Sequence, residues 1–105
     1  MPRYILTKSD KPDKKWLVIT PEGKKVRFGG SGYEDFTIHK DKDRKENYLK
    51  RHKKTEDWND LDTAGAWSRW LLWNKPSLRE SIRDMNDRFN IHIIKVRRLN
   101  DNSRS

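Results

Sequence analysis

The chain has 105 residues, of which 39% are charged and only 31% are apolar, and its formal net charge is +9. Five tryptophans, three tyrosines and three phenylalanines argue against a disordered chain, because large rings can bury enough surface to build a small core. The absence of cysteine excludes disulfide frameworks and thiolate metal sites. We predict one domain over residues 1–98 and a polar, flexible tail over residues 99–105.

The basic excess, with a pI near 9.9, indicates an acidic partner: nucleic acid, an anionic membrane surface or an acidic protein face. No stretch reaches the roughly 20 apolar residues that span a bilayer. The first residues also lack the apolar segment of a signal peptide. We therefore expect a soluble protein that acts inside cells, with no membrane insertion.

The N-terminal part of the chain has the composition of β-structure. Residues 3–9, 15–20 and 24–28 are rich in β-branched and aromatic side chains and are separated by turn residues. Pro21-Glu22-Gly23-Lys24 predicts a tight turn between the second and third segments. These segments predict a β-hairpin or a three-stranded meander.

A glycine-rich segment, Gly29-Gly30-Ser31-Gly32, follows the third strand. A phosphate cradle would require a helix to begin directly after it or a Gly-Lys-Ser/Thr sequence, and neither is present. The pattern therefore favours a turn. Beyond it, Tyr33, Phe36 and Ile38 are expected to return the chain to the core.

A polar helix is predicted from Asp41, its N-cap, to residue 53. Tyr48, Leu49 and His52 form a narrow stripe at helical spacing, so one face should pack and the other should be solvated.

The tryptophan-rich segment 63–73 predicts a second helix, buried on most sides and capped by Asp62 or Thr63. Trp67 and Trp70 are assigned to the core, whereas Trp58 and Trp73 could anchor a protein interface. The residues predicted to define the fold or an interface are Trp58, Trp67, Arg69, Trp70 and Trp73.

Ser77-Leu78-Arg79-Glu80 is a capping box that opens a third helix, 77–88, with one clear apolar face. Residues 91–98 then read as a final strand, which we expect to join the sheet. The predicted fold class is α+β: an N-terminal hairpin or three-stranded meander, three helices and a C-terminal strand.

Catalytic and metal patterns are weak. His39, His52 and His92 lack the spacing of a metal site. His39, Asp41, Asp43 and Glu46 could suggest a metal-dependent nuclease. Asp41 and Asp43, however, are two residues apart and diverge if both are helical, and helix capping explains them more simply. We predict that the protein is not an enzyme and holds no cofactor or metal.

The predicted helix 41–53 contains many basic residues, but it does not carry the excess of positive charge. Residues 41–61 hold seven basic and six acidic residues, whereas residues 1–40 and 62–105 each hold nine basic and five acidic residues. A basic binding surface would therefore draw on the two ends of the chain. The residues predicted to contact an acidic partner or nucleic acid are Lys24, Lys25, Arg27, Arg79, Arg83, Lys95, Arg97 and Arg98.

The run from Gly32 to Ser81 resembles a family of small uncharacterised proteins encoded by large double-stranded DNA viruses. The matching pieces are Gly32-Tyr33-Glu34-Asp35-Phe36-Thr37, His39-Lys40-Asp41, Arg44-Lys45, Tyr48-Leu49, Arg51-His52, Thr63-Ala64-Gly65 and Trp67-Ser68-Arg69-Trp70-Leu71-Leu72-Trp73-Asn74-Lys75. The resemblance covers about half of the chain and carries no catalytic residues over. It implies a viral origin and a virion component.

Together these observations predict a non-enzymatic viral structural protein. We expect a minor capsid component that uses a basic surface to contact acidic viral proteins or packaged DNA, with no small-molecule substrate. It would reside in the virion after synthesis in the host cytoplasm or nucleus. The alternative is a nucleic-acid-binding protein of genome replication or packaging, and a metal-dependent nuclease is a distant third.

Overall fold

A computed structural model describes residues 1–97 of the chain. The prediction for residues 99–105 and the predicted contact residue Arg98 lie outside this range. The elements in chain order are β1 (Arg3–Lys8), β2 (Lys14–Ile19), β3 (Lys25–Gly30), α1 (Phe36–His39), α2 (Lys42–His52), α3 (Ala64–Trp67), a π-helical segment (Ser68–Leu72), α4 (Leu78–Phe89) and β4 (His92–Lys95). The α+β class is confirmed.

Four strands form one mixed sheet in the order β3-β2-β1-β4. The first three strands are the predicted antiparallel meander, with Val18 opposite both Leu6 and Val26. The C-terminal strand β4 joins the sheet as predicted and runs parallel to β1, with Ile93 beside Tyr4. The two edges of the sheet are therefore β3 and β4.

Helices cover one face of this sheet, and Trp67 lies at the centre of the covered face with no exposed surface. Its ring contacts Tyr4 of β1 and Phe28 of β3, at centroid distances of 5.5 and 6.0 Å. Its indole N–H donates to the carbonyl of Leu61 at 2.8 Å. Trp70 is also buried, and its N–H donates to the Trp58 carbonyl at 2.7 Å. The predicted core positions of both tryptophans are confirmed.

Short polar side chains start the helices where the sequence predicts them. Asp41 accepts from the amides of the first turn of α2, and Thr63 accepts from Ala66 at the start of α3. Ser77 accepts from the amide of Glu80 and donates its hydroxyl to the Glu80 carboxylate, so the capping pair is present in a variant form. Asn90 ends α4 in the left-handed conformation.

The structure differs from the sequence prediction in several places. The short helix α1 was not predicted; Asp35 caps it while pairing with Lys15 at 2.8 Å. Phe36 is buried as expected, but Tyr33, in the segment before α1, and Ile38 of α1 are 77% and 53% exposed, so the expectation that these two residues return the chain to the core is wrong. The final strand is shorter than predicted.

The predicted helix 63–73 is only partly α-helical. After one α-helical turn it continues as a π-helical segment, in which the amide of Trp73 bonds to the carbonyl of Ser68 five residues earlier, at 3.0 Å. The wider turn places Trp70, Leu71 and Leu72 all in the core and turns Trp73 toward α2. Burial of three consecutive side chains explains why the segment departs from α-helical spacing.

Gly29 is where β3 and the π-helical segment approach each other most closely. It has φ +80°, and a Cβ there would lie 2.8 Å from Leu72 Cδ1. Gly23, in the turn before β3, has a similar φ of +90° but nothing within 4 Å of a Cβ. Both glycines have a positive φ, which other residues rarely adopt. They differ in the space that is available for a Cβ.

We expect Gly29→Ala to destabilise the protein by about 1–3 kcal/mol more than Gly23→Ala, since both strain the backbone and only the first overpacks the core. Urea unfolding of the two variants measures the difference. Equal losses of stability would show that Leu72 moves aside without cost.

Candidate functional site

A groove between α4 and β4 brings together three of the predicted basic residues. It is lined by Leu78, Arg79, Ile82, Arg83 and Lys95 and encloses about 480 Å³. The three cationic side chains are exposed, while Leu78 and Ile82 are partly buried against the core. The groove thus has an apolar floor and a basic rim.

Local sequence rules build this groove. Leu78 and Ile82 are four residues apart on α4, as are Arg79 and Arg83, so the two pairs form adjacent rows along one side of the helix. Lys95 arrives from β4 and lies over the ring of Trp16, 5.8 Å from its centroid. Because α4 and β4 are joined by a short connection, their basic residues face the same opening.

The groove cations have no carboxylate within salt-bridge distance in the described part of the chain. Two acidic side chains of α4 have other partners: Glu80 accepts from Ser77, and Asp84 accepts from Arg88 and from the amide of Asn74. Arg79 and Arg83 therefore form no ion pair among the described residues, and the third acidic residue of α4, Asp87, lies one turn beyond Arg83. Both arginines are exposed and can contact an incoming acidic group.

The remaining predicted basic residues lie elsewhere. Lys24, Lys25 and Arg27 are on or next to β3, the sheet edge opposite β4, so about three strand spacings, roughly 14 Å, separate the two groups. Arg97 is exposed just beyond β4, and its carbonyl accepts from Thr7 at 3.2 Å. The sheet thus divides the predicted surface into two groups.

Arg27 is already engaged. It donates to both carboxylate oxygens of Asp10, at 2.6 and 2.9 Å. The hydrogen bonds from Arg27 lower the pKa of Asp10 to about 2. Lys24 and Lys25, which are exposed, are the free cations of this edge.

The tryptophan segment holds arginine side chains against its rings. Arg69 lies 4.2 Å from the ring centroid of Trp70 and 5.3 Å from that of Trp58, and Arg88 lies 4.1 Å from Trp70. Trp58 and Trp73 are partly buried. Their use as interface anchors stays a prediction.

A second cavity, of about 690 Å³, lies between the glycine-rich turn, α2 and α3. Most of its charged side chains are paired with one another. The pairs are Lys15 with Asp35, Arg44 with Glu34, and His52 with Glu56. In the sequence, only the glycines point to this cavity. The pairs Lys15–Asp35 and Arg44–Glu34 join different segments of the chain and depend on the fold, whereas His52 and Glu56 are only four residues apart.

The residues considered for metal or nuclease chemistry have structural roles. Asp41 caps α2, the Nδ1 of His39 accepts from the amide of Asp41 at 2.9 Å, and His52 pairs with Glu56. Within residues 1–97, no group of three or more histidine, aspartate and glutamate side chains is arranged to hold a metal ion. The same range contains no helix with the length and apolarity needed to cross a membrane.

A family of unknown function, DUF5754, matches residues 4–52. The match runs from β1 to the end of α2 and includes many residues that line the second cavity, but it stops before α3, α4 and the basic groove. No curated protein and no solved structure matches the chain. A domain of unknown function is therefore present in the N-terminal half.

We expect the Asp10 carboxyl to titrate near pH 2 in the native protein and close to its ordinary pKa of 3.8 in Arg27→Gln. Because the folded pKa is lowered, the pair stabilises the fold above the unfolded pKa, and this contribution is lost as pH falls through about 2. Carboxyl NMR measures both titrations, and Lys24→Gln serves as the control that leaves Asp10 unchanged. A native midpoint near 4 would contradict the pairing.

Proposed function

We propose that this protein is a non-catalytic binding protein that holds an acidic protein segment in the groove between α4 and β4. The observation that carries the proposal is the combination of an apolar floor, Leu78 and Ile82, with a basic rim, Arg79, Arg83 and Lys95, that forms no ion pair among the described residues. An amphipathic segment with apolar residues on one face and carboxylates on the other matches both features.

Nucleic acid is the alternative partner. The net charge of +9 favours it, and the exposed lysines of β3 add a second basic region. The groove itself favours protein, since a phosphate backbone gains little from an apolar floor. If duplex DNA used the three groove cations, log K against log salt would have a slope of about −3.

We extend the proposal to a structural role in a virion, as a small capsid-associated component that contacts acidic viral proteins or packaged DNA. Support for this finer role comes from the resemblance of the run Gly32–Ser81 to small proteins of large DNA viruses. Mass spectrometry of purified virions tests it, and absence of the chain from the particles would overturn it.

We expect the double charge reversal Arg79→Glu/Arg83→Glu to weaken binding of a synthetic peptide, with leucines on one helical face and glutamates on the other, by about tenfold or more. Each reversal replaces an attraction worth up to about 1 kcal/mol with a repulsion. Fluorescence anisotropy at two salt concentrations measures the loss, and a mixed-sequence DNA duplex is titrated in parallel.

The matched control is Lys24→Glu/Lys25→Glu, which changes the net charge equally at the opposite sheet edge. It should retain most of the peptide affinity. Equal losses in the two variants would show that the peptide responds to overall charge and that the groove is not its site. Tight, salt-dependent duplex binding that only the groove variant loses would favour the nucleic-acid alternative.

A further inference from the structure

The chain leaves the π-helical segment through Trp73 and Asn74, and two cations bind the carbonyls of these consecutive residues. Arg69 donates to the Trp73 carbonyl at 2.9 Å, and Lys45 of α2 donates to the Asn74 carbonyl at 2.7 Å. Lys75 follows directly in sequence. We name Lys42, Lys45, Arg69 and Lys75 the Trp73 cation cluster.

Positive charge accumulates in this cluster. Burial lowers the pKa of Lys45, and the charges that lower it further are those of Arg69, Lys75 and Lys42. Burial also lowers the pKa of Arg69, and the charge of Arg88 adds to this effect. An anion bound here would offset the cost of desolvating these cations and would reduce the repulsion between them.

The carboxylate whose charge acts on Arg69 is that of Asp84, and it is already engaged. It accepts from the Asn74 amide at 2.7 Å and from two nitrogens of Arg88. Among the described residues, no carboxylate forms a salt bridge with Lys45, Arg69 or Lys75.

Hydrogen-bond donors also lack acceptors around Trp73. In the described range two buried side-chain nitrogens have no hydrogen-bond partner, Nε2 of His39 and Nε of Arg69. Because Nδ1 of His39 accepts from the amide of Asp41, Nε2 carries the proton and is a donor. His39 lies 5.3 Å from Trp73, and Arg69 binds its carbonyl, so both orphan donors adjoin the same residue.

Capping of the helix end explains part of this arrangement, since cations are favourable at the carbonyl end of a helix. Two carbonyls, however, need only two donors. Lys45 and Arg69 each retain further N–H groups, and Lys75, whose charge acts on Lys45, is exposed. Packing of Arg69 on Trp58 and Trp70 also holds its guanidinium in place before any ligand arrives.

We propose that the Trp73 cation cluster binds a phosphate group through the ammonium groups of Lys45 and Lys75 and the terminal nitrogen of Arg69 that Trp73 does not use. Two cations on consecutive carbonyls, with a third cation next in sequence, suit a group with up to two negative charges and three acceptor oxygens better than a single carboxylate. The site is separate from the groove between α4 and β4 and stands without the function proposed for that groove.

Titration of the full chain with inorganic phosphate, at constant ionic strength, tests the proposal by NMR. We expect saturable shifts centred on Trp73, Asn74 and Lys75, with a dissociation constant on the order of 1 mM. The pKa of Lys45 should rise when the site is filled, because an adjacent anion favours the charged amine. A purely structural Lys45 would show no such rise.

Two variants and a control locate the site. Lys75→Gln should weaken phosphate binding about two- to fivefold, as expected for an exposed pair, and Lys45→Gln should weaken it more strongly because that lysine is partly desolvated. Lys24→Gln removes an equal charge on the hairpin and should leave affinity unchanged. Because Lys75 is exposed and donates only its main-chain amide, to Ser81, its variant should fold normally.

Absence of saturable shifts, or equal affinities of Lys75→Gln and Lys24→Gln, would overturn the proposal. Adenosine monophosphate and a short deoxythymidine oligonucleotide distinguish the sources of phosphate. Shifts at the same residues with the oligonucleotide would assign the site to a nucleic-acid backbone, whereas shifts with inorganic phosphate and the monophosphate alone would assign it to a free or terminal phosphate. The groove variant Arg79→Glu/Arg83→Glu should bind phosphate normally.

Discussion

The fully buried indole of Trp67 is the contact on which the rest of the structure depends. It touches the first and third strands through Tyr4 and Phe28, so one side chain spans the meander. Its N–H must find an acceptor once it leaves water, and the Leu61 carbonyl supplies one. This hydrogen bond, together with the one from Trp70 to the Trp58 carbonyl, holds residues 55–62 in place before α3. Loss of such a ring typically costs about 3–5 kcal/mol, a large part of the stability of a small domain.

The π-helical segment buries Trp70, Leu71 and Leu72 in the same core. Three consecutive side chains span about 200° around an α-helix with 3.6 residues per turn, and they span a smaller arc around a wider turn. The segment then turns Trp73 toward α2. There its ring stacks nearly parallel on that of Tyr48, with the ring centroids 4.4 Å apart. Core packing and the Trp73 cation cluster therefore have one cause. The widened turn that buries the leucines also places the carbonyls that the cluster binds within reach of Lys45.

Much of the fold could be predicted because its signals are local. Turn residues, capping residues and period-two alternation located the meander, three helices and the final strand. The π-helical turn and α1 could not be predicted, since each satisfies contacts that only the assembled core creates. For the same reason, Arg79, Arg83 and Lys95 were identified as basic residues, but their common groove depends on strand order. The Trp73 cation cluster could not be predicted, because acidic neighbours on α2 balance the charge of Lys45 in the sequence. The imbalance arises only where the fold brings Arg69 and Lys75 close enough to act on Lys45.

The parallel pairing of β4 with β1 has a consequence for the order of assembly. Lys95 lies beside Leu6, so residues near the two ends of the described chain must meet before the sheet is complete. Contacts of such high sequence separation slow folding, since a long loop has to close first. During synthesis on the ribosome, the meander can form early, and β4 emerges after all the other described elements. The basic groove, which needs Lys95, thus forms only once β4 has joined the sheet, and a partner that recognises it selects chains in which this sheet is complete.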